Sequence, residues 1–170
     1  MLSLKEWSIS MKKTGFLTKL HKEGKLEIIE PSENLCVSYI QKSESHFESA
    51  KILLERGKLE ESVSMAYYGM YHILLALLFK CGIKCENHTA SILLLMGLFN
   101  ESRLAEEISF GKKERIDKQY YADFNISKTE CMDMTDRTEK FILDLKQIIK
   151  QLNSEKIEKL RSELNDALRE

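Results

Sequence analysis

Proline and glycine are scarce in this chain. Its 170 residues hold one proline, Pro31, and seven glycines. A β-sandwich or barrel turns about every 8–12 residues and builds those turns from Gly, Pro, Asn or Asp. That supply is absent, so most all-β architectures are excluded and helices are expected. A long apolar run is also lacking. The longest strictly apolar stretch is Ile73–Phe79, against the roughly 20 residues a helix needs to cross a bilayer. No membrane span is expected. Charge of one sign is missing too: 26 Lys and Arg oppose 27 Asp and Glu, for a net charge of −1. An anionic partner would therefore have to meet a local basic patch. The opening residues MLSLKEWSISMKK lack the apolar stretch of a signal peptide, so a cytoplasmic location is expected. Cys36, Cys81, Cys85 and Cys131 read as reduced thiols in a helical core, not as a disulfide framework.

Apolar residues, at 43% of the chain, are plentiful enough for one well-filled core. Residues 1–31 read as an N-terminal arm and linker, residues 32–153 as a helical bundle, and residues 154–170 as a helical tail. In the arm, Ser3 and Glu6 form a candidate capping box for a helix over 3–22, and Lys25–Pro31 can run extended. A helix is expected from Ser32 to Arg56, stopped by Gly57. The next runs from Leu59 to Cys81. There Leu59, Val63, Ala66, Met70, Leu74, Leu77 and Cys81 step by three or four, the clearest apolar stripe in the chain. Asn87 caps a short helix holding the run Ile92–Met96, and Glu101 to Phe124 is helical with a break expected near Gly111. Ser127 and Glu130 cap the last long helix, whose Met134, Thr138, Phe141, Leu145, Ile148 and Leu152 form a seam. Beyond Asn153 the phase slips, and Ile157, Leu160, Leu164 and Leu168 are expected to lean on a partner or fray. Short connections between long helices favour antiparallel neighbours. The expected fold is all-α, an up-and-down bundle of four to five helices with an N-terminal helical arm.

Three groups of residues carry candidate chemistry. Ser64, Tyr68 and His72 share one face of the central helix at i, i+4 and i+8, with Tyr67 and Tyr71 beside them. Such a stripe reads either as an internal hydrogen-bond network or subunit interface, or as a ligand groove. Lys112, Arg115 and Lys118 can share one side of their helix, with Tyr120 and Tyr121 following. Three cations and two tyrosines can grip a phosphate and stack a base. Glu114 and Asp117 nearly neutralise the run, so a solvated face explains it equally. Cys81, Cys85 and His88 have a superficial look of metal ligands. Their spacing fits no common zinc pattern, so structural thiols are the expected reading, with no metal or cofactor. Glycine-rich phosphate loops, GxSxG and HExxH are absent from the sequence.

The string Ser64-Met65-Ala66-Tyr67-Tyr68-Gly69-Met70-Tyr71-His72, followed by Gly82-Ile83 and His88-Thr89, resembles the HEPN family. The preceding Ser49–Leu54 and the later Ala122-Asp123-Phe124 fit the same ordered pattern, over about residues 35–150. The resemblance implies a helical bundle, commonly a homodimer with its central helices facing each other. It also implies RNA binding or metal-independent ribonuclease action, often as the toxin partner of a minimal nucleotidyltransferase that adenylylates a HEPN tyrosine. In ribonuclease members an arginine stabilises the pentacoordinate phosphate and a histidine, reached after four to six intervening residues, serves acid–base chemistry. Here Arg115 matches, but Tyr120, Tyr121 and Ala122 stand where the histidine belongs, so the motif is incomplete. His72 or His88 would have to supply the imidazole in space. The alternative function is a non-catalytic dimerisation or interaction scaffold.

Overall fold

The computed structural model describes residues 14–120 and 126–169, with side chains from Gly15 to Ile116 and from Ile126 to Arg169. The Ser3–Glu6 cap, the side chains of Lys118 and Tyr120, and all of Tyr121–Phe124 lie outside the described residues. Among the described residues the fold is all-α apart from two short strands. The helices are α1 (Thr14–Lys22), α2 (Glu33–Glu55), α3 (Leu59–Lys80), α4 (His88–Gly97), α5 (Ser102–Tyr120), α6 (Lys128–Gln151) and α7 (Ser154–Arg169). Strand β1 (Leu26–Ile28) pairs antiparallel with β2 (Ile83–Cys85), placing Leu26 opposite Cys85.

Local chemistry sets the helix starts. The Ser32 hydroxyl accepts from the Leu35 N–H at 3.2 Å, and Asn87 Oδ1 accepts from the Ala90 N–H at 2.9 Å. The expected capping box closes at α6: Ser127 Oγ accepts from the Glu130 N–H, and the Glu130 carboxylate accepts from the Ser127 N–H. Helix α5 runs unbroken through Gly111. Only three residues separate α2 from α3, so α3 must double back along α2.

Helix α3 is the centre of the bundle, with α2, α5 and α6 packed around it. Its stripe from Val63 to Leu77 is fully buried, as expected. By length and composition alone α3 could cross a membrane, yet 72% of its most apolar window is covered by the rest of the chain. Its apolar surface is core. Ser43 Oγ donates to the Gly69 carbonyl at 2.7 Å, clamping α2 onto α3 where glycine leaves room.

Two expectations about the ends are corrected. The tail neither frays nor waits for a partner: α7 packs against α1, and Ile157, Leu164 and Leu168 are buried. The arm in turn contributes Leu17, Leu20 and Leu26 to the core. Each buried leucine is worth about 1.5–3 kcal/mol, enough to hold both segments down. Residues 25–31 run extended, as expected, but as a strand with a partner and not as a free linker. Gly82 is the keystone. Its φ is +69°, and a Cβ there would run into the Ile29 carbonyl and the Arg161 guanidinium. Arg161 donates to that same Ile29 carbonyl and lies 3.4 Å from the Cys81 and Gly82 carbonyls.

Candidate functional site

Tyr67, Tyr68, Tyr71 and His72 occupy two successive turns of α3 and point to two sides of it. Tyr67 and Tyr71 turn toward the start of α4. There the Tyr67 hydroxyl lies 2.6 Å from His88 Nδ1, and the Tyr71 ring stacks on the His88 imidazole at 3.7 Å between centroids. Tyr67 is wholly buried, whereas His88 is half-buried. One imidazole nitrogen is thus fixed, which leaves Nε2 for a second partner.

Helix α5 lies over this pair. The Arg115 guanidinium carbon sits 5.3 Å from the Tyr67 ring centroid and 5.5 Å from that of Tyr68. Its Nη1 donates to the Tyr68 hydroxyl at 3.4 Å, the outer edge of hydrogen-bond range. One turn earlier, Lys112 Nζ donates to Thr89 Oγ1 at 2.7 Å, tying α5 to the residue after His88. Gly111 makes this approach possible: a Cβ there would stand 2.8 Å from Met134 Cε and 3.1 Å from Met70 Sδ.

The protonation states follow from burial and charge. Burial, then Arg115 and Lys112, hold His88 down to about 4, from an ordinary 6.5. Burial, then His46 and Lys42, hold His72 down to about 4 as well. Both imidazoles are neutral at pH 7. Burial pushes the Tyr71 hydroxyl up to about 12 and raises Tyr67 further, so neither is a base. Lys112 is lowered by partial burial and by Arg115.

On the other side of α3, Tyr68 stacks on His72 at 6.2 Å, and His46 of α2 lies 4.6 Å from His72 and 5.9 Å from Tyr68. Tyr39 follows at 5.8 Å from His72, with Lys42 Nζ 5.2 Å from the Tyr39 ring. His72 Nδ1 is buried and has no hydrogen-bond partner among the described residues.

The structure therefore brings Arg115, Lys112, His88 and Tyr68 together, and His72 joins through Tyr68. Ser64 lies one turn before Tyr68, half-buried, and no described contact ties it to the cluster. The side chains of Lys118 and Tyr120, and all of Tyr121, lie outside the described residues. Sequence reasoning missed His46, Lys42 and Tyr39. Their signal was present, since 39, 42 and 46 step by three and four along one face of α2. Cys81 and Cys85 are buried thiols, Cys81 raised to about 12 by burial, and Cys85 Sγ donates to the Asn87 carbonyl. Among the described residues, no three His, Cys, Asp or Glu side chains come together as metal ligands.

A cationic guanidinium over paired tyrosines, beside a neutral oriented histidine, is equipped to hold a phosphate and move a proton. The HEPN domain model matches residues 37–149, which is most of the chain and includes every residue of this cluster. The chain belongs to the HEPN family. This HEPN domain begins within α2 and ends within α6, so α1, β1 and α7 are additions packed onto it. The chain is also similar to a UPF0332 protein of Pyrococcus horikoshii, with 44% identity over 54 residues. That match covers 32% of this chain and 38% of the archaeal protein.

Proposed function

We propose that this HEPN protein binds RNA and cleaves it in ribonuclease fashion at the Arg115–His88 cluster. The supporting observation is the shared tyrosine: Tyr67 carries Arg115 on its ring face and His88 at its hydroxyl. Arg115 and Lys112 grip the scissile phosphate. His88 is neutral in this step and takes the tautomer in which Nδ1–H donates to the Tyr67 oxygen, so that Nε2 has a free lone pair and accepts the 2′-hydroxyl proton. The 2′-oxygen attacks phosphorus, the bond to the 5′-oxygen breaks, and that oxygen takes a proton from solvent. A 2′,3′-cyclic phosphate and a 5′-hydroxyl remain. Charge that builds on the phosphorane falls on Arg115. In this reading His88 supplies the imidazole that the family pattern places after the arginine. End-group analysis of the products tests this chemistry: cyclic phosphate ends support it, and 3′-hydroxyl ends rule it out.

In the same reading the protein is cytoplasmic and dimeric, the toxin-like subunit beside a minimal nucleotidyltransferase, with Tyr120 or Tyr121 as the adenylyl acceptor. Adenylyl addition, read by intact mass after incubation with ATP and the transferase, tests the partnership.

A further inference from the structure

The Arg115 cluster does not end at Tyr68. A strip of half-buried rings continues from it along the cleft between α2 and α3. The steps are Tyr68 to His46 at 5.9 Å, His46 to His72 at 4.6 Å, His72 to Tyr39 at 5.8 Å, and Tyr39 to Phe79 at 5.0 Å. Lys42 stands exposed at its edge, its Nζ over Tyr39.

Three features distinguish this strip from ordinary core. Its rings are only half-buried, although α3 is otherwise the most enclosed helix of the bundle. Apart from Phe79 at its end, it is built from imidazole and phenol, not from leucine and isoleucine. A lysine flanks it, with Lys42 Nζ over the Tyr39 ring. Flat, polar, half-exposed rings beside a cation are the surface on which single-stranded nucleic acid stacks its bases.

We propose that this strip is an extended subsite for single-stranded RNA, taking the nucleotides next to the phosphate held by Arg115. Bases stack on the His46–His72–Tyr39 surface, and Lys42 meets the backbone phosphate beyond them. This rests on the Arg115 reading and adds a direction to it: the strand leaves the Arg115 site across Tyr68 toward Tyr39. His46 is built for the role. Its Nδ1 donates to the Lys42 carbonyl at 2.8 Å, so the ring is locked to α2 and its other edge is presented.

The test is binding of oligouridylates two, four and six nucleotides long, read by fluorescence anisotropy, with RNA carrying a 2′-O-methyl block to prevent cleavage. Full-length protein is compared with His46→Ala, Lys42→Ala and Arg115→Ala. Lys42 is a surface residue, and its variant keeps the helix intact. The expected result is that Arg115→Ala weakens every length. His46→Ala weakens the four- and six-mers by about 5- to 50-fold and hardly alters the two-mer. Lys42→Ala lowers the salt dependence of six-mer binding by about one ion. Loss with Arg115→Ala but none with His46→Ala or Lys42→Ala at any length overturns the subsite and leaves the Arg115 reading standing. Failure of the unaltered protein to bind any of the three overturns both.

Discussion

The Tyr67 hydroxyl lies 2.6 Å from Nδ1 of His88, and together with the Tyr71–His88 stack this contact joins the core of α3 to the start of α4. It fixes an imidazole that burial and two cations keep neutral. Everything proposed for the site depends on that imidazole being oriented and unprotonated at pH 7.

Tyr67→Phe removes the hydroxyl and keeps the ring. The variant leaves a half-buried ring nitrogen without its partner, at a cost of about 1–3 kcal/mol in urea denaturation. Its RNA cleavage is expected to fall by more than the unfolded fraction explains, because His88 loses its orientation. Equal loss of activity and folded protein would reduce Tyr67 to a packing residue.

Acid should weaken the fold. His72 and His88 each have a folded pKa of about 4 against an ordinary 6.5. Between those values the unfolded chain binds more protons than the folded one, so stability falls as pH drops from 6.5 toward 4 and is restored above 6.5. Melting temperatures across that window check the sign. His72→Gln and His88→Gln should each flatten the slope. The same depression predicts that cleavage persists at pH 5.5, where an unperturbed histidine is largely protonated.

Gly111 sets how closely α5 approaches the tyrosines. Gly111→Val puts branched carbon where Met134 and Met70 already sit. Methionine ends can yield to one added carbon but not to three, so the expected destabilisation is about 1–3 kcal/mol. RNA affinity should fall with it, since Arg115 lies one turn further on. An unchanged affinity in the folded variant would detach Arg115 from the site.

Gly82→Ala tests the link between arm and tail. The position combines a φ of +69° with backbone from Ile29 and Pro31 where a Cβ would stand. Backbone cannot swing aside, so a loss of about 3 kcal/mol is expected by calorimetry. Retained stability would show that the β1–β2 pair can re-form around an alanine.

Much of this was written in the sequence. The stripe from Val63 to Leu77, the Asn87 cap and the Ser127–Glu130 box are local patterns, and local patterns survive folding unchanged. Tyr68, His72, His88, Lys112 and Arg115 stood out because polar and aromatic residues at helical spacing are conspicuous beside so much leucine. What stayed hidden depended on which surfaces meet. His46 and Lys42 join the site only because Gly69 and Ser43 bring α2 close to α3. The tail was misjudged for the same reason: nothing near Arg161 in sequence announces the Ile29 carbonyl that it binds. Arm and tail are each too small to form a core alone, and their partnership is a long-range fact.

The most direct test of the central claim is RNA cleavage in EDTA by the unaltered protein, Arg115→Ala and His88→Gln, each shown folded by circular dichroism. The account predicts cleavage to cyclic phosphate ends by the unaltered protein and loss of at least about 100-fold in both variants. Equal cleavage by all three, or none by the unaltered protein, would contradict it.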